Sequence, residues 1–346
     1  MFLRNAWYVA ASIEEVTDKP LARTLLNEPI VLFRDRNGVC AALEDRCCHR
    51  GAPLSLGWQG ERGIVCGYHG LEFDGAGACV HIPGNKGEIP ERLRQRTRVR
   101  SYPVFEKDAF VWIWMGEPTI ADPSQIIDCP PDDPIKAPRV HGMIHIKASY
   151  IYLLENLMDL SHLSFLHKNS IGSSADDSAN ASMDINPTKT GVKFLRLMRN
   201  ATPSNASKQR HNFQGFVDRW SEFEFVAPSC IVQWSGAVNA GEYDKGVREG
   251  GESNRIVHTI TPETDKTCHY FFAMSGGYGG AEATRKLAFQ VFREDADMIE
   301  QQQIRLDGYD QSRLVDIPSD VARVQMNRYL NRRIEEESRM ASNAAE

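Results

Sequence analysis

Two short pairs of metal-binding residue types stand close together: Cys47-x-His49 and, after 16 intervening residues, Cys66-x-x-His69. Each pair offers one thiolate and one imidazole. Two Cys on one iron and two His on the other is the ligand set of a Rieske-type [2Fe–2S] cluster. Neutral imidazoles in place of two thiolates leave the cluster less negative and raise its potential, which suits it to passing single electrons. Structural zinc also takes Cys₂His₂, but there two Cys ordinarily precede a long gap and then two His. Here the types alternate inside each pair. Arg50-Gly51-Ala52-Pro53 follows the first pair, and Gly67 and Gly70 flank the second. Such residues let backbone wrap close to cluster sulfurs. Cys48, wedged between two ligand positions, reads as a packed bystander.

A second constellation lies in Leu154-Glu155-Asn156-Leu157-Met158-Asp159-Leu160-Ser161-His162-Leu163-Ser164-Phe165-Leu166-His167. Asn156, Asp159 and His162 recur every three residues, so a helix over 151–167 puts them on one face. Their neighbours are Leu, Met and Phe, and a buried polar side chain costs a few kcal/mol, roughly, unless paired or metal-bound. A lone His in this setting reads as a hydrogen-bonded core residue. Two His with an Asp, in a chain that also carries the Cys/His pairs, read as ligands. His162 and His167 are five apart, so the helix must loosen or end between them for both to reach one ion.

The elements that position these residues divide the chain. Its 346 residues suit two domains. A composition of 42% hydrophobic and 25% charged residues is that of a globular protein, and a net charge of −6 gives no basis for nucleic-acid binding. No apolar stretch approaches the ~18–20 residues that span a bilayer, and the N-terminus lacks an apolar signal core. The expected location is the cytoplasm, with no membrane contact. Six further cysteines (Cys40, Cys48, Cys79, Cys129, Cys230, Cys268) are scattered, and buried free thiols are their expected state. Residues 1–116 read as short strands with an Asn37-Gly38 hairpin turn. The Pro/Asp-rich stretch 117–139 reads as a linker. Residues 140–346 read as a second domain: a strand near 141–148, the helix of the second constellation, a Ser/Ala/Asp-rich loop at 169–182, and strands through 192–275. Helices close the chain at about 283–306 and 320–339.

Asp45-Arg46-Cys47-Cys48-His49-Arg50-Gly51-Ala52-Pro53-Leu54 with Cys66-Gly67-Tyr68-His69-Gly70-Leu71-Glu72-Phe73 resembles the cluster segment of the Rieske non-haem iron oxygenases. The likeness runs along nearly the whole chain and is greatest to the short oxygenase components of the vanillate and dicamba O-demethylase and toluenesulfonate methyl-monooxygenase type. It implies an α+β protein: an all-β Rieske domain, then a catalytic domain of helix-grip type whose antiparallel sheet is flanked by helices. Asp159-x-x-His162-x₄-His167 resembles the family's mononuclear iron motif and implies a 2-His-1-carboxylate triad for Fe(II) with open positions for O₂. In the family the Asp at position 159 has another role: it bridges a Rieske His of one subunit to an iron-ligating His of its neighbour. Carried over, His69 and His162 are its partners, the assembly is a homotrimer, and Asn156 sits beside the iron.

The third ligand is then sought in Phe292-Arg293-Glu294-Asp295-Ala296-Asp297-Met298-Ile299-Glu300. The helix's apolar face runs through Ala288, Phe292, Ile299 and Gln302, and Asp295 falls on it. Glu294 and Asp297 fall off it, where solvated acids belong. Asp295 is therefore preferred to Asp297, and the resemblance agrees. By the same likeness, His258 faces the substrate and binds its carboxylate or sulfonate, and Trp234 lines the pocket; Trp234 reads equally well as a core residue, and the nearby His269 as an ordinary strand residue. The resemblance implies a terminal monooxygenase. A flavin/iron–sulfur reductase or ferredoxin, drawing on NADH, feeds electrons to the cluster, and a small aromatic substrate is oxidised with O₂. O-demethylation of a methoxylated aromatic acid is the expected reaction; methyl or ring hydroxylation and N-demethylation use the same machinery.

Overall fold

The run Phe110-Val111-Trp112-Ile113-Trp114 is buried at every position because it forms β11 (Phe110–Trp114), the middle strand between β1 (Trp7–Ser12) and β10 (Val104–Lys107). β-branched and aromatic side chains fit such a two-sided surface. The computed structural model describes residues 1–346 except 86–87, 133–137, 173, 205–206, 209–210, 277–279 and 346. The chain divides into two units, Met1–Asp128 with Thr261–Asp265, and Cys129–Ile260 with Lys266–Glu346.

In the first unit, a four-stranded sheet runs β2 (Leu21–Leu25), β3 (Glu28–Arg34), β4 (Cys40–Glu44), β9 (Ser101–Tyr102). Gly38, at φ 79°, makes the β3–β4 turn that Asn37-Gly38 announces. A smaller sheet runs β5 (Trp58–Gln59), β6 (Ile64–Val65), β7 (Glu72–Phe73), β8 (Cys79–His81). Val31, Phe33 and Leu43 share one core with Leu54, Ile64, Leu71 and Phe73, and Cys47 and Cys66 lie in that core. Residues 117–128, expected in a linker, belong to this unit. Glu117 and Asp122 start short 3₁₀ turns there. Trp7 Nε1 donates to the Asp122 carbonyl at 2.9 Å and Lys107 Nζ to that of Ile126 at 2.7 Å.

The second unit is built on a seven-stranded antiparallel sheet. Its order is β12 (Val140–Ile146), β18 (Thr267–Gly276), β17 (Glu252–Thr264), β16 (Cys230–Asn239), β15 (Val217–Val226), β14 (Gly191–Ala201), β13 (Ser182–Pro187). Two long helices accompany it, α4 (Ala281–Leu306) and α5 (Val321–Ala345). Helix α4 buries Ala288, Val291, Phe292, Asp295 and Ile299. The ring of Phe292 lies 5.3 Å from that of Tyr270 and 4.8 Å from that of Phe272. Strand β12 approaches α4 so closely that a Cβ on Gly142 would come within 2.7 Å of the Phe289 ring. Gln302, expected on the buried stripe, is exposed. After Ile299 the stripe steps four residues to Gln303, whose side chain accepts the Ser149 N–H at 2.9 Å.

Two further expectations need correction. The helix drawn over 151–167 ends early: α2 is Tyr150–Leu157. Asp159 then takes an extended backbone, and its carboxylate accepts the Ser161 N–H, capping a 3₁₀ turn at Leu160–Ser164. Asp competes for backbone donors in this way, which breaks helices and starts turns. Asn156, Asp159 and His162 therefore do not share one helix face. The loop expected at 169–182 contains the short helix α3 (Ala175–Ala179), and β13 begins at Ser182. Among the described residues no helix is long and apolar enough to cross a membrane.

Candidate metal centres and substrate cavity

The two Cys/His pairs occupy matched turns. Cys47 N–H donates to the Ala52 carbonyl and Gly51 N–H to that of Cys47, at 2.8 and 2.9 Å. Cys66 and Gly70 repeat both bonds, with Leu71 as the acceptor for Cys66, at the same 2.8 and 2.9 Å. Gly51 and Gly70 both sit at φ 73°, a left-handed conformation that a side chain would strain. Asp45 pins the first turn by accepting the Ser55 N–H at 2.7 Å and its hydroxyl at 2.6 Å.

These turns sort the donors by depth. Cys47 and Cys66 are 2% and 1% exposed, whereas His49 and His69 face solvent with ring centres 4.6 Å apart. Burial, and the neighbouring Cys66, push the Cys47 thiol up to about 11. A thiolate there needs the charge of a bound metal, so buried sulfurs behind exposed imidazoles fit a [2Fe–2S] cluster with unlike irons. Among the described residues, the His, Cys and carboxylate group tight enough to share one ion lies elsewhere, at His162, His167 and Asp295. The Cys/His quartet is more widely spread, as two irons require. Cys48 is exposed rather than packed, and the other five cysteines outside the pairs are buried and form no disulfide among the described residues.

The second centre gathers three donors around Asp295 Oδ1. His167 Nε2 is 3.1 Å from that oxygen and His162 Nε2 3.6 Å. Neighbouring ligands on one octahedral ion, each ~2.1 Å from it, stand roughly 3 Å apart, so the three atoms fit one face of a metal. The other ring nitrogens are occupied. His162 Nδ1 donates to the Asp159 carbonyl at 2.6 Å, and His167 Nδ1 to Glu294 Oε2 at 2.7 Å. Both Nε2 atoms are thereby turned to the metal position. Burial holds His162 below the usual histidine range. Burial also pulls His167 down, but its bonds to Asp295 and Glu294 outweigh that and raise it. Asn156 Nδ2 donates to Asp295 Oδ1 at 3.1 Å, while its buried Oδ1 has no partner among the described residues. That orphaned acceptor points to a further polar group in the site.

These three side chains form part of the wall of a cavity under the sheet. Leu157, Leu160, Phe223, Ile256, Val291 and Phe292 make it largely apolar, and His258, Gln233, Ser235 and Arg219 add polar groups. His258 does line it, but both ring nitrogens are engaged. Gln233 Nε2 donates to Ser235 Oγ at 2.9 Å, which leaves Gln233 Oε1 to accept His258 Nε2–H at 2.9 Å. Nδ1 then accepts the Tyr270 hydroxyl at 2.7 Å. Burial pushes His258 down to about 3, so it is neutral and carries no charge for an anion. Trp234 lies on the opposite face of β16. Its ring packs edge-on against Trp220 at 5.9 Å, under Arg255 at 3.7 Å. Strand parity separates Gln233 and Ser235 from Trp234. His269 is a buried strand residue in register with His145, away from the cavity lining.

Glu294, Ser170, Gln233 and Tyr270 were missed by reading the sequence. The signal for Glu294 was its place beside Asp295; sorting the helix into inward and outward acids discarded it. Glu294 also accepts the Ser170 hydroxyl at 3.0 Å.

An all-β domain with buried Cys and exposed His pairs, joined in one chain to an antiparallel sheet with a two-His, one-carboxylate group, defines the class of Rieske non-haem iron oxygenases. Residues 6–103 match the Rieske [2Fe-2S] domain family, and residues 146–336 match the vanillate O-demethylase oxygenase C-terminal domain. The vanillate O-demethylase oxygenase subunit of Pseudomonas sp. strain HR199 is 36% identical over 356 residues, covering 99% of this chain and 98% of its own. The toluene-4-sulfonate monooxygenase system iron-sulfur subunit of Comamonas testosteroni is 38% identical over 309 residues, covering 87% and 88%. Dicamba monooxygenase, solved with non-heme iron and dicamba, matches with a TM-score of 0.80 at 33% identity over 98% of this chain and 99% of that one. The chain belongs to this family: it is the oxygenase component of a Rieske monooxygenase, an oxidoreductase whose cofactors are a [2Fe–2S] cluster and a mononuclear non-haem iron.

Proposed function

We propose that this chain is the terminal oxygenase of an O-demethylase, acting on a methoxylated aromatic acid. The observation that carries the reading is the convergence of His162 Nε2, His167 Nε2 and Asp295 Oδ1 in the wall of a largely apolar cavity. Cys47, His49, Cys66 and His69 would hold the cluster, and His162, His167 and Asp295 the iron. When bound, the cluster supplies single electrons and the iron supplies activation of O₂. The chain's own residues do the rest. Asp159 and Glu294 fix the two imidazoles through their Nδ1 atoms. Asn156 holds Asp295 and offers Oδ1 to a polar group beside the iron. Leu, Ile, Val and Phe side chains seat the ring and exclude water. Neutral His258 and Tyr270 are two buried polar groups that donate and accept without charge.

The overall change balances as one methoxyarene, one O₂ and two electrons with two protons, giving one phenol, one formaldehyde and one water. NADH supplies the electrons through a flavin/iron–sulfur reductase or a ferredoxin. The assembly is a homotrimer in which the Asp159 carboxylate of one chain meets a Rieske His of another. Within one chain that carboxylate accepts from Ser161 alone among the described residues, while His162 uses the Asp159 carbonyl. The relative from the toluene-4-sulfonate system supports a second reading, hydroxylation of an aryl methyl group by the same centres. Product analysis with a generic reductase decides. O-demethylation releases formaldehyde and phenol in a ratio of one, and a benzylic alcohol without formaldehyde selects the second reading.

A further inference from the structure

The cavity face of the sheet is graded. Reading across strands, Phe223, Gln233 and Ile256 lie in one row. The next row holds Arg196, Ser221, Ser235 and Asn254, and the one beyond it Arg219, Ala237 and Glu252. One end is therefore apolar and the other polar. Arg219 is the one arginine or lysine among the described residues that line the cavity. It is partly buried, and its single hydrogen bond among the described residues runs from Nη2 to the Ile171 carbonyl at 3.2 Å. Among the described residues no carboxylate pairs with it. Glu252 stands two strands away, roughly 10 Å, and its oxygens accept from Ser207 Oγ and from Asn254 Nδ2. Arg196, 4% exposed, lies near enough for the two guanidinium groups to repel. A guanidinium in a concave, largely apolar site, with a second cation nearby and no carboxylate paired to it among the described residues, favours an oxyanion with two oxygens for its fork.

From this juxtaposition we infer that Arg219 anchors the anionic substituent, carboxylate or sulfonate, of the aromatic substrate. Ser221 and Ser235 lie in the adjacent row as further donors. The inference rests on the reading of this cavity as the place where an aromatic acid is oxidised. It moves anion recognition from His258, which is neutral and engaged on both nitrogens, to Arg219. Arg219 is thus a specificity-determining residue for the charge of the substrate.

The test is equilibrium dialysis of three probes against the fully loaded enzyme: 4-methoxybenzoate, toluene-4-sulfonate and uncharged 4-methoxybenzamide. Arg219→Gln is expected to weaken the anions by roughly 10- to 100-fold, the loss for one charged hydrogen-bonding partner, and the amide by less than about 2-fold. Arg219→Lys, which keeps the charge and loses the fork, is expected to fall between. A loss confined to one anion names the substrate's group and supports the inference. An equal loss for all three probes overturns it, because Arg219 then only holds the wall at Ile171. Unchanged binding of both anions, or a parent enzyme with no preference for anion over amide, also overturns it. Cluster absorbance reports that each variant is folded. Formaldehyde release is scored separately: anion-selective binding without formaldehyde sinks O-demethylation and leaves Arg219 in place.

Discussion

Replacing Glu294 tests how the second centre keeps its metal. Its Oε2 accepts His167 Nδ1–H at 2.7 Å, and the pair is further tied by Ser170 Oγ at 3.0 Å and Gln290 Nε2 at 3.2 Å. Hydrogen bonds to charged groups contribute about 1.5–3 kcal/mol. Outer partners of metal-bound His typically change metal affinity by ~10–100-fold. Glu294 is 27% exposed, so solvent screens part of its charge. Gln keeps the shape and a neutral acceptor. Glu294→Gln should therefore weaken Fe(II) binding by about 10-fold, and Glu294→Ala by up to ~100-fold. The assay is anaerobic chelator competition, with the two irons of the cluster as an internal count. It is best run near pH 8, because Glu294 also stabilises a proton on metal-free His167, and that competition would mask the loss at lower pH. Asp297→Asn, an exposed neighbour on the same helix, is the control. Unchanged affinity in both Glu294 variants refutes the argument that this carboxylate orients His167.

Asp295→Asn should remove the mononuclear iron while leaving two irons and the cluster absorbance, whereas Asp297→Asn should keep three; metal analysis separates the two acids. Asp159→Asn should retain both metals, because Asn also caps turns, yet lose most turnover; near-normal single-turnover rates would count against a bridging role. His258 gives a pH dependence. Its pKa is depressed from 6.5 to about 3 in the folded chain, so the unfolded chain binds the extra proton and stability falls as pH drops from 6.5 towards 3. The slope from this residue is about 1.4 kcal/mol per pH unit. His258→Gln should lessen the loss of denaturation midpoint between pH 6.5 and 4.5, and an unaltered pH profile would contradict the buried neutral state.

The chemistry was more legible in the sequence than the geometry that supports it. Two Cys/His pairs with turn-forming neighbours specify their own local fold, since Gly51 and Gly70 are the only side-chain choice that φ 73° accepts without strain. Asp295 could be picked from three acids because burying a carboxylate is costly, and a 3.6-residue period tells which one goes inward. The break at Asp159 was hidden because Asn156, Asp159 and His162 mimic helical spacing. Only the competing bond from Ser161 N–H shows that the chain turns there instead. Trp234 was placed in the pocket by likeness alone. Its side of the sheet depends on the register of β15, β16 and β17, which pairing over long sequence separations decides.

That register also sets how the protein can be redesigned. On β15 and β16 the odd-numbered side chains meet the cavity, and on β17 the even-numbered ones do, so a saturation library at 219, 221, 223, 233, 235, 254 and 256 would sample new specificities while sparing the aromatic outer face. A single-residue insertion inside any of these strands would instead exchange the two faces, sending Trp234 and its neighbours inward. Diversification by substitution is open to this scaffold, and length changes are confined to its connecting loops.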